Sequence, residues 1–279
     1  MSRRAAFLCV SLGLLLWLAA AGSPWQKPAD TPADPRGVAA ASASTSGAKD
    51  APPAKDTAPA KQADASKPTG FPNTGESLNY SLNWPTGASL GEAHLRAAKS
   101  DDGWQFDFSM EAKVPGFAVS DHYHSSADPQ MCSLELEKQT THGARTAHEK
   151  TVFDYRAGNA TRTTLVEGGG HTDIGIDNCA HDGLDYVFYA RRELGQGHGV
   201  PPRQDVLFGA SYTVRMEFAG VQDVVVGGKH HQADHVMLYL KGPVADSQLE
   251  IFFDRDTART PLIIKAPLPI GKLSMELVR

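Results

Sequence analysis

The sequence has few of the residues that usually reveal a chemical activity. Its 279 residues include three cysteines, and one of these, Cys9, lies inside an N-terminal apolar run. No basic stripe is interleaved with aromatic side chains, and the formal net charge of −5 argues against a nucleic-acid partner. No carboxylate pair can be placed for acid–base catalysis. The sequence therefore favours a non-enzymatic protein without a cofactor or a catalytic residue.

One short stretch matches a catalytic motif. Residues 87–91, GASLG, fit the G-x-S-x-G pattern of a nucleophile elbow. That elbow requires a strand that runs directly into a helix, whereas this match lies between two predicted strands. We interpret it as a hairpin loop whose glycines provide backbone freedom.

The eleven histidines are a second candidate for chemistry. His122 and His124 are two residues apart on one predicted strand and point the same way, while His230, His231 and His235 cluster near a turn. Zinc ligands could come from such pairs if their strands meet, but no spacing specifies a closed site. We assign no metal ligand, and a histidine-dependent metal-binding protein is the weakest functional alternative.

The N-terminus has the order of a secretory signal peptide. Residues 1–21 begin with two arginines, continue with an apolar run and end in three alanines. We therefore expect export to the periplasm or the cell envelope. If the segment is not cleaved, it would be the part of the chain that contacts a membrane, at the short end of what spans a bilayer.

Residues 22–69 have the composition of a disordered linker. Ala, Pro, Lys, Asp, Ser and Thr dominate, and hardly any aliphatic or aromatic side chain follows Trp25. Such a segment buries too little apolar surface to offset the entropy that is lost on ordering. The remaining residues, 70–279, are enough for one β-rich domain with a core of its own.

Strict alternation of apolar and polar residues marks the strands of this domain. In residues 104–114, WQFDFSMEAKV, the apolar side chains share one face, and residues 77–84 and 211–218 repeat the pattern. This period is typical of antiparallel strands with one solvated face. Further strands are predicted at residues 91–98, 117–127, 132–139, 145–156, 161–166, 221–227, 234–241, 248–254, 261–266 and 272–278. The expected arrangement is an antiparallel meander of about eleven to thirteen strands.

One segment, residues 177–197, has helical rather than strand periodicity. Its apolar residues recur at near-helical spacing from Ala180, Asp177 or Asn178 can cap the start, and Gly195 can follow the end. The pattern predicts a helix of about 15 residues and about 22 Å.

This helix is too small to cover the predicted sheet. Eleven strands present an apolar face of about 900 Å², which is about four times the footprint of the helix. We therefore expect a mainly β fold in which one large antiparallel sheet curls into a barrel or half-barrel, with the helix as a plug or lid. A curled sheet of this size is expected to leave an apolar groove.

Two cysteines remain once the signal segment is removed, in a compartment that permits disulfides. We expect Cys132 and Cys179 to be bonded, which would pin the start of the helix to a strand. Closing a loop of nearly fifty residues stabilises a fold by about 4 kcal/mol in the chain-entropy model. The alternative is two buried thiols that never meet.

Several short motifs are similar to those of one family of exported bacterial proteins. They are GESLNY at residues 75–80, GEA at 91–93, YARREL at 189–194 with Gly197, and Asp254 followed by RTP at 259–261. Over about residues 75–279 the sequence resembles the family designated domain of unknown function 3108. The resemblance implies a periplasmic β-rich domain without an assigned activity, shaped like the open-barrel lipoprotein carriers that hold acyl chains on a concave face.

We expect a non-enzymatic envelope protein that binds a lipid-like or other apolar ligand on the concave face of its sheet. The side chains expected to line the groove are Trp104, Phe106, Phe108, Met110, Tyr212, Val214 and Met216. The alternative for each of them is ordinary core packing. The alternative function is a structural or adaptor domain that closes fully and binds an envelope protein through its outer surface.

Overall fold

The computed structural model describes residues 70–114, 116–243, 246–268 and 271–278. The predicted signal segment and the predicted linker, residues 1–21 and 22–69, lie outside these described residues. Within the described ranges, no helix is long and apolar enough to cross a membrane.

The described chain forms one antiparallel meander followed by a helix and a second meander. The strands are β1 (Gly75–Asn83), β2 (Ser89–Ser100), β3 (Gly103–Val114), β4 (Phe117–Ala127), β5 (Ser133–His142), β6 (Arg145–Asp154), β7 (Asn159–Thr164), β8 (His171–Gly175), β9 (His181–Asp182), β10 (Gln204–Leu207), β11 (Ser211–Val226), β12 (Lys229–Lys241), β13 (Asp246–Asp254), β14 (Pro261–Leu268) and β15 (Gly271–Val278). The helix is α1 (Gly183–Gly195) and lies between β9 and β10.

All fifteen of these strands belong to one sheet. Its order is β8-β7-β6-β5-β4-β3-β2-β1-β15-β14-β13-β12-β11-β10-β9, so β1 and β15, the first and last strands among the described residues, pair at its centre. Every neighbouring pair is antiparallel except β9 and β10, which are parallel. Most strands are connected by short turns, because each strand pairs with the one that precedes it in the chain.

The sheet curls until its β9–β10 end meets strands β5 and β7. Although β5 and β9 are far apart in the strand order, the Ser133 amide on β5 donates to the Ala180 carbonyl just before β9, at 2.9 Å. On β7, Arg162 donates through Nη1 to the Gly209 carbonyl between β10 and β11. These bonds close the sheet on itself, and the predicted curled sheet with one helix is confirmed.

Helix α1 lies against the inner face of the curled sheet. Its Phe188 ring stacks on Phe106 of β3 at a centroid distance of 4.4 Å and packs on Phe71 at 5.3 Å. Tyr186, Ala190 and Leu194 belong to a second cluster with inward side chains of β11 to β13. The helix therefore bridges the two halves of the sheet from inside.

The predicted start of the helix was wrong. Asp182, rather than Asp177 or Asn178, is the N-cap, and its carboxylate accepts from the amides of Leu184 and Asp185. The helix has 13 residues instead of about 15, since His181 and Asp182 pair as strand β9 with β10. An aspartate with extended backbone is a strong N-cap because its side chain satisfies free amides of the first turn.

Two strand predictions also need correction. Residues 211–218 and 221–227 were predicted as separate strands, but β11 is continuous, since a bulge between Phe218 and Gly220 absorbs the extra residue. Strands β8, β9 and β10 were not predicted, because each is five residues or fewer and carries no clear alternation. The sheet therefore has fifteen strands instead of eleven to thirteen.

Candidate functional site

A disulfide fixes the chain just before the helix. Cys132, at the end of the β4–β5 turn, is bonded to Cys179, with their Cα atoms 4.8 Å apart and 47 positions apart in sequence. The predicted pairing is therefore confirmed. It joins the segment that leads into α1 to the strands that face the helix.

Buried polar side chains continue this attachment into the first turn of α1. Ser125 of β4 donates to the Asp182 carboxylate at 2.5 Å, and Ser133 of β5 donates to Asp185 at 3.0 Å. His181 Nδ1 lies 2.7 Å from the same Asp185 oxygen. Burial, together with the neighbouring Asp185 charge, raises the pKa of Asp182 to about 6. This cluster holds the helix, but its burial leaves no room for a substrate.

An apolar cavity of about 190 Å³ lies between α1 and the inner face of the sheet. Three kinds of element line it: β2 to β4 through side chains such as Leu95, the helix through Leu184, Tyr186 and Val187, and β10 to β15 through side chains such as Leu238. The half-buried members of the lining are Phe108, Val187, Phe208, Leu240, Leu249 and Ile264. Solvent therefore reaches the cavity.

Four of the seven side chains predicted to line a groove border this cavity. They are Phe108 and Met110 on β3, and Tyr212 and Val214 on β11. The other three, Trp104, Phe106 and Met216, pack in the core away from the cavity. For Trp104 and Phe106 the reason is that Phe71, which precedes β1, and Phe188 of the helix fill the space over them.

Sequence reasoning missed much of the lining. Leu238, Leu249 and Ile251 come from the second meander. The sequence predicted their strands but did not assign an inner face to them. Their alternation was the signal that could have identified them. Phe208 had no such signal, because the strand before it has only four residues. In the structure its ring lies so close to the helix that an added Cβ on Gly183 would be 2.6 Å from it. Glycine at 183 thus lets the helix approach the cavity wall.

The inward face of the sheet changes character between β3 and β5. Paired residues run across it from Leu95 through Phe108 and Tyr123 to Lys138 and Glu149, on strands β2 to β6. In a second row of paired residues, the apolar Met110 on β3 is followed by the polar Asp121 on β4 and Thr140 on β5. We call the inward face of β1 to β3 and β11 to β15 the apolar wall, and that of β4 to β7 the polar wall.

Charges on the polar wall are buried but paired. The Lys138 ammonium lies 3.5 Å from the Glu149 carboxylate and 4.2 Å from the centroid of the Phe208 ring. Burial lowers the pKa of Lys138 to about 8, because removing an ammonium from water disfavours its charge. Asp121 accepts from the Tyr123 hydroxyl at 3.0 Å and lies 2.7 Å from His142 Nε2. Burial raises the pKa of the Tyr123 hydroxyl, so it remains a donor.

The other candidates for chemistry lie elsewhere. Residues 87–91 form the turn between β1 and β2 and the start of β2, as the hairpin interpretation predicted. His122 and His124 lie on the outer face of β4, where His124 Nδ1 is 2.7 Å from Asp107. Among the residues that the structure describes, no group of three or more potential ligands is arranged to hold a metal ion.

The sequence matches a family model over residues 79–278, described as a protein of unknown function (DUF3108). The chain belongs to the DUF3108 family. A search of curated proteins finds no match. A crystal structure of a beta-barrel-like protein of domain of unknown function DUF1849 from Brucella abortus is similar in fold, with a TM-score of 0.52 and 9% identity over 73% of this chain and 95% of that chain.

Three of the four motifs that resemble the DUF3108 family, those at residues 75–80, 189–194 and 254–261, meet at one place in the fold. The completely buried Arg191 of α1 pairs with Glu76 at the start of β1 and donates through Nε to the Ala258 and Arg259 carbonyls, at 3.2 and 3.1 Å. The Tyr80 hydroxyl donates to the Pro261 carbonyl at 2.9 Å. These motif residues therefore anchor the C-terminal half of the helix instead of forming a reactive site.

Proposed function

We propose that this DUF3108 domain is a non-enzymatic binding protein that holds an apolar, lipid-like chain between its helix and the inner face of its sheet. The observation that carries this proposal is the cavity of about 190 Å³, whose lining is almost entirely aliphatic and aromatic. Such a wall offers water few hydrogen bonds, so an apolar guest that displaces solvent from the cavity is favoured.

The size of the cavity limits what it encloses. Ligand pockets for drug-sized molecules have volumes of about 300–1,000 Å³, whereas an engineered cavity of about 150 Å³ binds benzene. A cavity of about 190 Å³ therefore encloses about six to eight carbon atoms, which is the end of a longer chain. The half-buried Leu240, Leu249 and Phe208 provide the side from which the rest of the chain emerges.

The signal-peptide pattern of residues 1–21 supports a location in the periplasm or cell envelope. The Cys132–Cys179 bond supports the same location, because structural disulfides persist in oxidising compartments. An envelope protein with an apolar cavity would meet lipids as its most abundant apolar partners.

Octan-1-ol is the probe that tests this function, because its chain matches the cavity. We expect its titration to shift the methyl NMR signals of Leu238, Ile251 and Met275, which line the cavity, and to leave Val278 unaffected. Native mass spectrometry of protein purified from its own envelope should show a retained lipid. Unchanged lining methyl signals at saturating octan-1-ol would rule the function out.

A substitution that fills the cavity provides the matched comparison. Val187→Trp places an indole into the cavity from the helix, and should weaken octan-1-ol binding by at least about tenfold. Val225→Trp makes the same change at an exposed position of β11 that does not line the cavity and should leave binding unchanged. Equal affinity of the two variants would contradict the assignment of the cavity as the site.

One observation favours the alternative of an adaptor domain. Phe218, Val221 and Val225 lie along β11 with 53%, 43% and 53% of their surfaces exposed. Exposed apolar side chains in a row are typical of protein contacts. Phe218→Ser should weaken association with an envelope protein and leave octan-1-ol binding intact, as measured by crosslinking in the native envelope and by the NMR titration.

A further inference from the structure

The hairpin turns of the curled sheet lie at two opposite ends. Successive strands of a meander run in opposite directions, so every second turn lies at the same end of the sheet. One end, which we call the mouth end, includes the β1–β2, β5–β6, β7–β8 and β10–β11 turns, at residues 84–88, 143–144, 165–170 and 208–210. The far end includes the β2–β3, β4–β5, β6–β7, β11–β12 and β13–β14 turns, at residues 101–102, 128–132, 155–158, 227–228 and 255–260.

The open side of the cavity lies at the mouth end. Its half-buried lining residue Phe208 is in the β10–β11 turn, and Leu240 and Leu249 flank the β12–β13 turn at the same end. At the far end the interior is filled, because Phe71 packs on Trp104, the second residue of β3, at a ring-centroid distance of 5.4 Å. The turns at the mouth end therefore surround the way into the cavity.

The turns at the two ends differ in composition. The four mouth-end turns contain one charged residue, Glu167, whereas aspartate or arginine occurs in four of the five far-end turns. The mouth-end turns carry large apolar side chains instead, namely Trp84, Leu165, Val166 and Phe208. Leu165 and Val166 are 46% and 43% exposed, and the other two are half-buried. Apolar side chains exposed together at one end of a protein are typical of a contact with a membrane or another molecule.

The exposed charges that flank the mouth-end turns are mainly positive. Among the two residues nearest that end of each described strand, the exposed charged side chains are four cations and one carboxylate. They are Lys113, Arg145, Lys241, Lys272 and Asp246. Lys272 pairs with Glu250 at 2.7 Å, and with Glu250 and Glu167 counted the cations still outnumber the carboxylates. Exposed apolar side chains flanked by cations match the two attractions that hold a protein on an anionic bilayer.

We propose that the mouth end docks on the surface of a lipid bilayer that contains anionic lipids. Leu165 and Val166 enter the interfacial region, Trp84 lies at the level of the head groups, and the flanking lysines contact anionic head groups. The open side of the cavity then faces the bilayer, so a bound chain passes between the two without crossing water. This contact goes beyond the proposed binding function and does not require an occupied cavity.

Bicelles that contain a spin-labelled lipid show which end of the full-length protein meets the bilayer. With phosphatidylcholine and about one quarter phosphatidylglycerol, the label should broaden the methyl NMR signals of Leu165 and Val166. Val225 and Val278 are at least as exposed, at 53% and 50%, but lie near the far ends of β11 and β15, so their signals should stay sharp. Attachment through residues 1–69 alone would broaden neither pair selectively. Equal broadening of the two pairs, or broadening of the far-end pair alone, would overturn the proposal.

Two matched double variants assign the contact to one turn. Leu165→Ser with Val166→Ser should reduce the broadening of Leu90 and Leu240, beside two other mouth-end turns, at least about threefold. Val225→Ser with Val278→Ser makes the comparable change at the far end and should leave that broadening unaltered. None of the four substituted residues lines the cavity, so retained octan-1-ol binding shows that both variants are folded. The same broadening in both variants would contradict the contact.

The charge contribution has its own test. Lys113→Gln with Lys241→Gln should reduce the broadening of Leu165 and Val166 at least about threefold in bicelles with phosphatidylglycerol. The same change should have little effect in bicelles of phosphatidylcholine alone. Lys99→Gln with Lys229→Gln, near the far ends of β2 and β12, is the control and should have no effect in either. An equal loss in both lipid compositions would show that head-group charge is not recognised.

The outcomes separate this inference from the binding function. If octan-1-ol binds and no mouth-end signal is broadened, the docking is wrong and the binding function stands. If the mouth-end signals are broadened and octan-1-ol does not bind, the docking stands alone. If crosslinking from position 166 in the native envelope captures a protein and bicelles broaden no mouth-end signal, the mouth end contacts a protein and the bilayer proposal is wrong.

Discussion

The two walls of the barrel interior are built from strands of the same kind and have opposite chemistry. On the apolar wall, β3 presents Trp104, Phe106 and Met110 inward, all of them buried. On the polar wall, the inward positions include Lys138 and Glu149, which are equally buried. Burial in this domain therefore does not require apolar side chains, but each buried charge on the polar wall has a partner.

The helix explains why both walls are stable. It packs Phe188 against the apolar wall, where area removed from water stabilises the contact. Toward the polar wall it presents Asp182 and Asp185, which bond to Ser125 and Ser133. The cavity lies where these two modes of attachment meet, and the following predictions test each in turn.

The largest expected effect is on the apolar wall. Phe106→Glu should cost more than about 5 kcal/mol and unfold the domain, because it removes a ring stacked on Phe188 and buries an unpaired carboxylate. Gln105→Glu, the next residue and on the exposed face, should change stability by less than about 0.5 kcal/mol. Urea unfolding followed by circular dichroism measures both. A folded Phe106→Glu protein would contradict the described packing.

Arg191 of α1 is a fully buried charge that packs beside Phe71 and Phe188, next to the apolar wall. Arg191→Met should cost about 3–5 kcal/mol, since it leaves Glu76 and two carbonyls without their donor. Arg192→Met removes the neighbouring, partly exposed charge and should cost less than about 1 kcal/mol. Equal unfolding midpoints for the two variants would show that the buried pair does not hold the helix.

The disulfide attaches the helix to the strands of the polar wall. Replacing both Cys132 and Cys179 by serine should lower the free energy of unfolding by about 2–4 kcal/mol, because the unfolded chain regains the entropy of a loop of 47 residues. Hydrogen exchange should increase in α1 more than in β3 if the bond fixes the helix. Uniform exchange across the domain would contradict that local role.

The smallest effect is the dependence on pH from the polar attachment. The folded pKa of Asp182, about 6, lies above its ordinary value, so its stabilising contribution is complete below about pH 4 and is lost as the pH rises through 6. We expect a decrease of about 2 kcal/mol between these values. Asp182→Asn should flatten the profile measured by urea unfolding. An unchanged slope in that variant would assign the dependence to other groups.

Alternation predicted the apolar wall and could not predict the polar one. Residues 104–114 have apolar and polar faces that differ sharply, so the inward face is evident from the sequence. In β5, SLELEKQTTH, both faces carry polar residues beyond Leu136. The pattern therefore does not show that Lys138 and Thr140 are buried. Their burial becomes favourable only when the sheet closes and Glu149 on the next strand pairs with Lys138.

The sequence predicted only the part of the candidate site that lies on strands with clear alternation of apolar and polar residues. Phe108, Met110, Tyr212 and Val214 lie on strongly alternating strands, and all four line the cavity. Asp121 is one polar residue among several in a serine-rich and histidine-rich strand, FAVSDHYHSSA, and nothing local distinguishes it. Its place in the cavity wall depends on the curl of the sheet, which sets the residues that face the helix.

The sequence by itself determined that the described part of this chain, within residues 70–278, builds a large antiparallel sheet, one helix and one disulfide, because periodicity, capping residues and cysteine count are local properties. Only the tertiary structure decided that the helix lies inside, that Phe71 and Phe188 fill the space over Trp104 and Phe106, and that a cavity remains beside Asp121. The physical reason is that a cavity is the space that remains when distant strands close around a helix. Its position and its chemistry therefore depend on contacts between residues far apart in the chain.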